Sequence, residues 1–398
     1  MLAKGHKNVK LDKEAWDRLI TWIDMNVLDH GSWTEQGGEP KASPQHALRA
    51  KYRKLYANID SDPEKIVETQ KAPVKFIKPE PLKRPAVVVP KVAGWPVADA
   101  DARKLQAAAG ANTVRTIDLG SGVKLELTLV PAGEFVMGNA EGDLDELPLS
   151  RVKVDKPYWM GKVEVTNLQY KQFDAEHDSR YIDQHWKDHN SPGYPANTPE
   201  QPVIRITWQQ AMAYCAWLSE KTGQQFSLPT EAQWEWACRA GSDTPLSYGD
   251  LDADFSTFAN VGDLSLRKMA VKGVNPKAIP KADPLEDFLP KDERFDDGNH
   301  VVCEVGKYKP NAFGLHDMHG NVAEWTLSAF KPYPYVDGDG RNKVTVEGEK
   351  VVRGGSWRDR PKRSRSAFRL HYPTWQPVFN VGFRVVCPVG GGKVAAVR

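Results

Sequence analysis

The stretch Leu228-Pro229-Thr230-Glu231-Ala232-Gln233-Trp234-Glu235 opens a helix with its own start signal. Thr230 followed three residues later by Gln233 matches a capping box, in which a hydroxyl and an amide satisfy the orphan N–H groups of the first turn. The helix should carry Trp234 and Cys238 on its apolar face and stop near Gly241. The same signature recurs upstream at Thr166-x-x-Gln169 and Thr207-x-x-Gln210. The second of these carries Ala211, Cys215 and Leu218 on one face and meets Gly223, a candidate left-handed cap. Further back, Val123, Leu125, Leu127 and Leu129 alternate with Lys124, Glu126 and Thr128, the pattern of a half-buried strand. Pro131-Ala132-Gly133 ends it. Beyond residue 245 Asp, Gly, Asn and Pro replace periodic runs, and a loop-rich stretch of that length needs ions or buried polar anchors.

The composition excludes several functions. In 398 residues, 54 Lys+Arg stand against 52 Asp+Glu, a net charge of +2 that argues against a nucleic-acid partner. No run reaches the ~18 apolar residues of a membrane span. Met1 to Lys7 lacks the apolar core of a secretory signal, so the sequence as written carries no export address and its localisation stays open. Four cysteines are too few for a disulfide scaffold, and none forms Cys-x-x-Cys. Trp16, Leu19, Ile20 and Ile23 share one helical face, and Ser43-Pro44 starts a second helix carrying Leu48, Tyr52 and Leu55. Pro73, Pro79, Pro81, Pro85, Pro90 and Pro96 then impose extended chain. The domain reading is a helical segment 1–71, a Pro-rich linker 72–112, a main domain 113–390 and a flexible tail 391–398.

Ordered motifs carry a resemblance. Leu129-Val130-Pro131-Ala132-Gly133-Glu134-Phe135-Val136-Met137-Gly138, Glu164-Val165-Thr166-Asn167 and the Leu228–Glu235 stretch come first. Asn311-Ala312-Phe313-Gly314-Leu315, Gly320-Asn321-Val322-Ala323-Glu324-Trp325, Arg353-Gly354-Gly355-Ser356-Trp357 and Gly382-Phe383-Arg384 follow. Together they resemble the formylglycine-generating enzyme (sulfatase-modifying factor) family over about residues 115–390. The resemblance implies that family's loop-rich, mixed α+β variant of the C-type-lectin fold, with calcium under its loops. The N-terminal Ala15-Trp16-Asp17-Arg18-Leu19-Ile20-Thr21-Trp22-Ile23-Asp24 and His30-Gly31-Ser32-Trp33 resemble the tail of hydrazine synthase α-subunit-related proteins. That likeness makes the haem-containing part of such a protein a candidate partner, although no Cys-x-x-Cys-His occurs here.

The family oxidises a substrate cysteine with O₂ on copper held by two thiolates, soft ligands that select Cu(I). Both are implied just after the Gly-Gly-Ser motif, where this chain reads Trp357-Arg358-Asp359-Arg360-Pro361-Lys362-Arg363-Ser364-Arg365-Ser366. No cysteine stands there, so copper and the family reaction are not expected. Cys215 and Cys387 match or lie near positions bridged in some members, which leaves a bridge open, and the implied partner of Cys238 is Ser366, which leaves Cys238 free. By the same resemblance one calcium ion would take Asn260, Val261, Asp297 and Asn299. A second would take Asp317, Gly320, Val322 and Glu324, hard oxygen donors of the kind Ca²⁺ prefers.

The basic loop is the remaining candidate. Trp357, Arg358, Asp359, Arg360 and Lys362 lie where the family binds substrate, and arginines there could grip sulfate, phosphate or carboxylate. Arg353, Arg365, Arg369 and Arg384 read instead as internal struts paired with acids. His316-x-x-His319 lacks a third ligand and reads as packing. Residues 1–112 lack the His-x₃-His-x-Glu pattern of the iron-dependent sulfoxide synthases of this superfamily. Two functions stand: a non-catalytic calcium-binding module for a peptide, a protein or an acidic glycan, or an active formylglycine-generating-type oxidase or non-haem metal enzyme with a different ligand set.

Overall fold

The computed structural model describes residues 11–16, 19, 47–48, 50–61, 87–183, 192–269, 271–272, 277–278, 290–345 and 347–390. The chain forms two compact units, Met1–Leu82 and Lys83–Arg398, each described by itself. In the first, residues 13–16 and 50–52 are helical and a π-helical turn, Arg53–Ala57, ends at Asn58 in the left-handed region. Trp16 stacks on Tyr56 at 4.8 Å between ring centres. Leu48, Tyr52 and Leu55 are all exposed. Ile20, Ile23, Ser43, Pro44, the linker prolines before Pro90, the tail 391–398 and most of the hydrazine-synthase-like motif lie outside the described residues.

The second unit begins earlier than the sequence boundary at 113. Asp99–Ala109 forms helix α1, with Ala102 and Gln106 buried. The Gln106 amide donates to the carbonyls of Leu129 (2.8 Å) and Phe313 (2.7 Å), and Val97 N–H donates to Gly241 O. The end of the expected linker is therefore part of the domain. Its prolines stop at Pro96, and the Asp- and Ala-rich run behind them is free to form a helix.

Strands β1 (Val114–Gly120), β2 (Val123–Val130), β3 (Gly133–Met137), β4 (Ser150–Val154) and β5 (Tyr158–Gly161) follow. In β2 Val123, Leu125, Leu127 and Leu129 are buried and Lys124 and Glu126 exposed as predicted, but Thr128 is buried too, so the alternation ends at Leu127. Helices α2 (Asn167–Tyr170), α3 (Trp208–Thr222) and α4 (Glu231–Arg239) each start with the expected capping box, on Thr166, Thr207 and Thr230. Each such cap contributes about 1 kcal/mol. Gly223 closes α3 in the left-handed region; Ala240 does the same for α4, one residue before Gly241.

Two short ladders, β6 (Tyr181–Ile182) with β7 (Tyr194–Pro195) and β8 (Val271–Lys272) with β9 (Lys277–Ala278), lie between the main elements. The last strands are β10 (Ala323–Ala329), β11 (Glu349–Arg353), β12 (Leu370–Pro373), β13 (Val381–Gly382) and β14 (Val386–Pro388). One sheet runs β1-β2-β5-β14 and another β12-β11-β10-β13. Helix α3 joins them: Trp208, Tyr214 and Leu218 share one core with Leu125 and Leu127 of the first sheet and Trp325 and Val352 of the second. Helix α4 carries Trp234 and Trp236 into a second core with Phe135, Met160 and Phe313. The fold is mixed α+β and loop-rich, as expected.

Buried ion pairs brace the long loops, and the arginines read as struts are struts. Arg353 meets Glu235 at 2.6 Å, Arg369 meets Glu231 at 2.7 Å, and Arg365 grips Glu146 through two 2.6 Å bonds. Burial pushes the Glu235 carboxyl up, but Arg239 and Arg353 outweigh it and hold that group below its usual range. Desolvation makes such pairs modest contributors to net stability, yet losing one partner strands a buried charge.

Candidate functional site

The basic loop between β11 and β12 borders a cleft of about 670 Å³. Gly262 sets the floor: its N–H donates to Asp359 O, its carbonyl accepts Lys291 N–H, and an added Cβ would lie 2.9 Å from Arg358 O. Only glycine lets the two loops meet there. Trp357 N–H donates to Asn321 O, tying the same loop to the Gly320–Asn321 turn. Around the cleft stand Arg205, Lys291, Arg358, Arg360 and Arg363, with Phe379, Tyr372 and Asn380. Asp359 is the one acid in the lining among the described residues, and its Oδ2 accepts from Ser356 Oγ at 2.5 Å. Asn380 Nδ2 donates to the same hydroxyl at 2.8 Å.

Of the five candidate ligand residues, Arg358, Asp359 and Arg360 line this cleft. Trp357 does not: it is fully buried beneath it, packed with Ile204, Val322 and Phe379. Its neighbour in sequence alternates to the other side of the backbone, so Arg358 faces out and Trp357 in. Lys362 turns away to Asp143, 3.5 Å distant. Sequence reading missed Arg205, Lys291 and Phe379. They lie far from the loop in the chain, and no local pattern joins them to it.

The four cysteines are free and buried, so Cys215 and Cys387 are not bridged. Cys238 Sγ lies 3.5 Å from Ser366 Oγ, which places that serine where the resemblance puts a partner. Burial pushes the Cys238 thiol up to about 12 and raises the other three as well. His319 is buried and accepts from Ser247 N–H, while its Nδ1 bonds Ser364 O, a packing role. His316 Nδ1 bonds Tyr308 O.

The calcium positions divide. At the first site the two halves meet: Val261 N–H donates to Asp297 Oδ2 at 2.9 Å, and Asn299 N–H donates to Oδ1. Burial and the neighbouring Asp263 push the Asp297 carboxyl up to about 7. Asn260 Oδ1 is buried without a partner. The Asn299 carbonyl, however, already accepts from Ser265 Oγ at 2.7 Å.

At the second site Gly320 is needed, because an added Cβ would lie 2.1 Å from Asn260 O. Asp317 Oδ1 is buried without a partner, as is Glu164 Oε2. Glu324, expected as a donor, is already engaged. Its carboxylate is taken by Arg384, at 2.6 and 2.7 Å, and by Trp234 Nε1 at 2.7 Å. A cation beside Arg384 would meet a positive charge, so Glu324 serves as a strut. The unpartnered oxygens at this position are those of Asp317 and Glu164, two buried carboxyls that act on each other. Among the described residues no three His, Cys, Asp or Glu side chains converge as a metal cluster. Glu164 stood inside a quoted motif, and nothing in its spacing marked it as a donor.

Fold and site together define a loop-rich α+β domain braced by buried ion pairs, with a cationic cleft beside the Gly-Gly-Ser turn. Residues 123–389 match the family model of the sulfatase-modifying factor enzyme 1-like domain, and the chain belongs to that family. It is similar to the inactive C-alpha-formylglycine-generating enzyme 2 of Bos taurus, with 26% identity over 70% of this chain and 93% of that protein. It is similar to the formylglycine-generating enzyme of Mus musculus, with 25% identity over 64% of this chain and 73% of that protein. Among solved structures, PvdO from Pseudomonas aeruginosa matches with TM-score 0.51 and 26% identity, covering 69% of this chain and 98% of its own.

Proposed function

We propose that this chain is a non-catalytic member of the family, a calcium-stabilised module that holds an anionic ligand, peptide or acidic glycan, in the Arg358–Arg360 cleft. The observation that carries this reading is the loop itself. Where the family holds copper between two thiolates, residues 357–366 present Asp359 and Ser364, and the four thiols elsewhere are buried and protonated. Carboxylate and hydroxyl are hard donors and cannot replace thiolates around Cu(I). The relative named inactive lends the reading support, and those named as formylglycine-generating enzymes keep the oxidase as its competitor.

Calcium is proposed for stability rather than chemistry. Asp317 and Glu164 would hold it, since Asp317 Oδ1 and Glu164 Oε2 are buried carboxylate oxygens that lack hydrogen-bond partners. The cleft side chains bind and orient. Arg358 and Arg360 supply planar donor forks for oxyanions, and Asn380, held by the buried Ser356 hydroxyl, lines the cleft beside them.

The deciding experiment is to give the pure protein copper, reductant, oxygen and a Cys-x-Pro-x-Arg peptide. Mass spectrometry should find no conversion of the thiol to an aldehyde above the no-protein control. Conversion above that control would overturn the non-catalytic reading.

A further inference from the structure

Taking the cleft as a ligand site, we propose that its occupant is a sulfated oligosaccharide, with sulfate groups on Arg205, Arg358 and Arg360 and a sugar face on Trp375. Phe379 organises the cations: the Arg358 guanidinium lies 5.1 Å and that of Arg205 5.9 Å from the same ring centre. Both are close enough for cation–π attraction, which fixes two like charges side by side.

Arg205 is held more tightly still. Its Nε donates to Ser179 O and its Nη2 to Tyr181 O, both at 3.1 Å. Its backbone sits at φ 58°, a left-handed conformation uncommon for a residue with a side chain. Such strain concentrates at binding sites, where the surrounding structure holds it in place. Burial and the nearby Arg180 already push the Arg205 guanidinium below its usual range. Arg205, Arg358 and Arg360 form no ion pair among the described residues. Five cations face one lining acid, Asp359, and an arrangement with that excess of positive charge is completed by anions from outside.

The size and the rim select the class of anion. A cleft of about 670 Å³ with cations on several sides exceeds what one small inorganic anion fills, so the ligand carries more than one charged group. Trp375 is 67% exposed, and it is the one tryptophan that stands exposed among the described residues. It sits on the turn closed by Gln376 N–H to Pro373 O, directly before Gln376 and Pro377, which line the cleft. An exposed indole beside cations offers a flat apolar surface to the C–H face of a pyranose ring. An acidic peptide satisfies the arginines but gives that indole no comparable partner.

Calorimetry on the full chain tests this with four probes: a heparin-derived hexasaccharide, its desulfated form, a poly-glutamate peptide of equal charge, and sodium sulfate. The sulfated hexasaccharide is expected to bind at least tenfold tighter than the desulfated form and the peptide. Arg358→Ala with Arg360→Ala should weaken it at least tenfold without changing the melting temperature. Trp375→Ala should weaken the hexasaccharide several-fold and leave the peptide unchanged. Equal affinity for peptide and sugar, or no effect of Trp375→Ala, overturns the glycan assignment and leaves the anion cleft standing. Binding of no probe, or binding indifferent to Arg358 and Arg360, overturns the cleft as well.

Discussion

Arg384 and Glu324 form a closed, fully buried pair: Nη2 donates to Oε1 at 2.6 Å and Nε to Oε2 at 2.7 Å, with Trp234 Nε1 completing the second oxygen. The pair joins β10 to the Gly-Phe-Arg segment, and Arg384 Nη1 extends the brace to Gly161 O on β5. Glu324→Gln should therefore cost about 3–5 kcal/mol, the usual penalty for stranding one partner of a buried pair. Chelation should lower the melting temperature of the wild type, and Asp317→Asn or Glu164→Gln should remove that response. Glu324→Gln should keep it, at a lower melting temperature throughout. Melting curves with chelator and with excess Ca²⁺ decide the matter. Identical wild-type curves would count against a bound ion, and loss of the response only in Glu324→Gln would restore Glu324 as a donor.

The fold was legible where the chain writes its own local chemistry. The Thr-x-x-Gln boxes at 166, 207 and 230 and the alternation in β2 are short-range codes; the boxes formed as read, and the alternation did as far as Leu127. The site was legible only in part. Arg358 and Arg360 stood in one loop, but Phe379, Arg205 and Lys291 join them through tertiary packing that no spacing encodes. The burial of Trp357 and the pairing of Glu324 with Arg384 were hidden for the same reason. A core tryptophan and a strut carboxylate look like ligand residues until their partners, Ile204 and Arg384, are placed beside them.

Helix α1 belongs to the domain, so truncation should reveal it. A fragment starting at Thr113 loses Gln106 and strands the buried carbonyls of Leu129 and Phe313. Each buried group left unsatisfied costs about 1–3 kcal/mol. Limited proteolysis should leave a stable core that retains Val92 through Ala109, and the 113–390 fragment should melt well below it. Equal melting temperatures for a fragment starting at Val88 and one starting at Thr113 would show that the helix contributes nothing.

Lys350 should add a pH signature at the alkaline end. It is buried on β11, its ammonium 4.4 Å from the Trp208 ring centre, with the Leu327 and Lys343 carbonyls at 3.2 and 3.4 Å. Burial lowers its pKa from 10.5 to about 8. Between those values the unfolded chain binds the proton more often than the folded one, so this group makes stability rise with pH across that window. Urea unfolding at pH 8 and pH 10 should show Lys350→Met lacking that rise relative to wild type. A wild-type and mutant difference that stays constant between the two pH values would show that Lys350 titrates normally.

The thiols offer the last check, and it bears directly on chemistry. A copper ligand or a nucleophile must be a thiolate that solvent can reach. Here Cys238 is pushed up to about 12 by burial, and Cys215, Cys303 and Cys387 are raised by the same cause. Cys303 lies in a loop, yet it too is buried, with its N–H on Asn321 Oδ1. Cys387, on β14 with Sγ 3.3 Å from Gln224 Oε1, is the nearest to an open strand end. At pH 8 the folded protein should therefore react with Ellman's reagent only at the rate of unfolding, and denaturant should release all four thiols at once. One thiol reacting within seconds in the folded protein would mark an accessible thiolate. That residue would then be the first candidate for an oxidase ligand, and its replacement by serine the first variant to assay on the peptide.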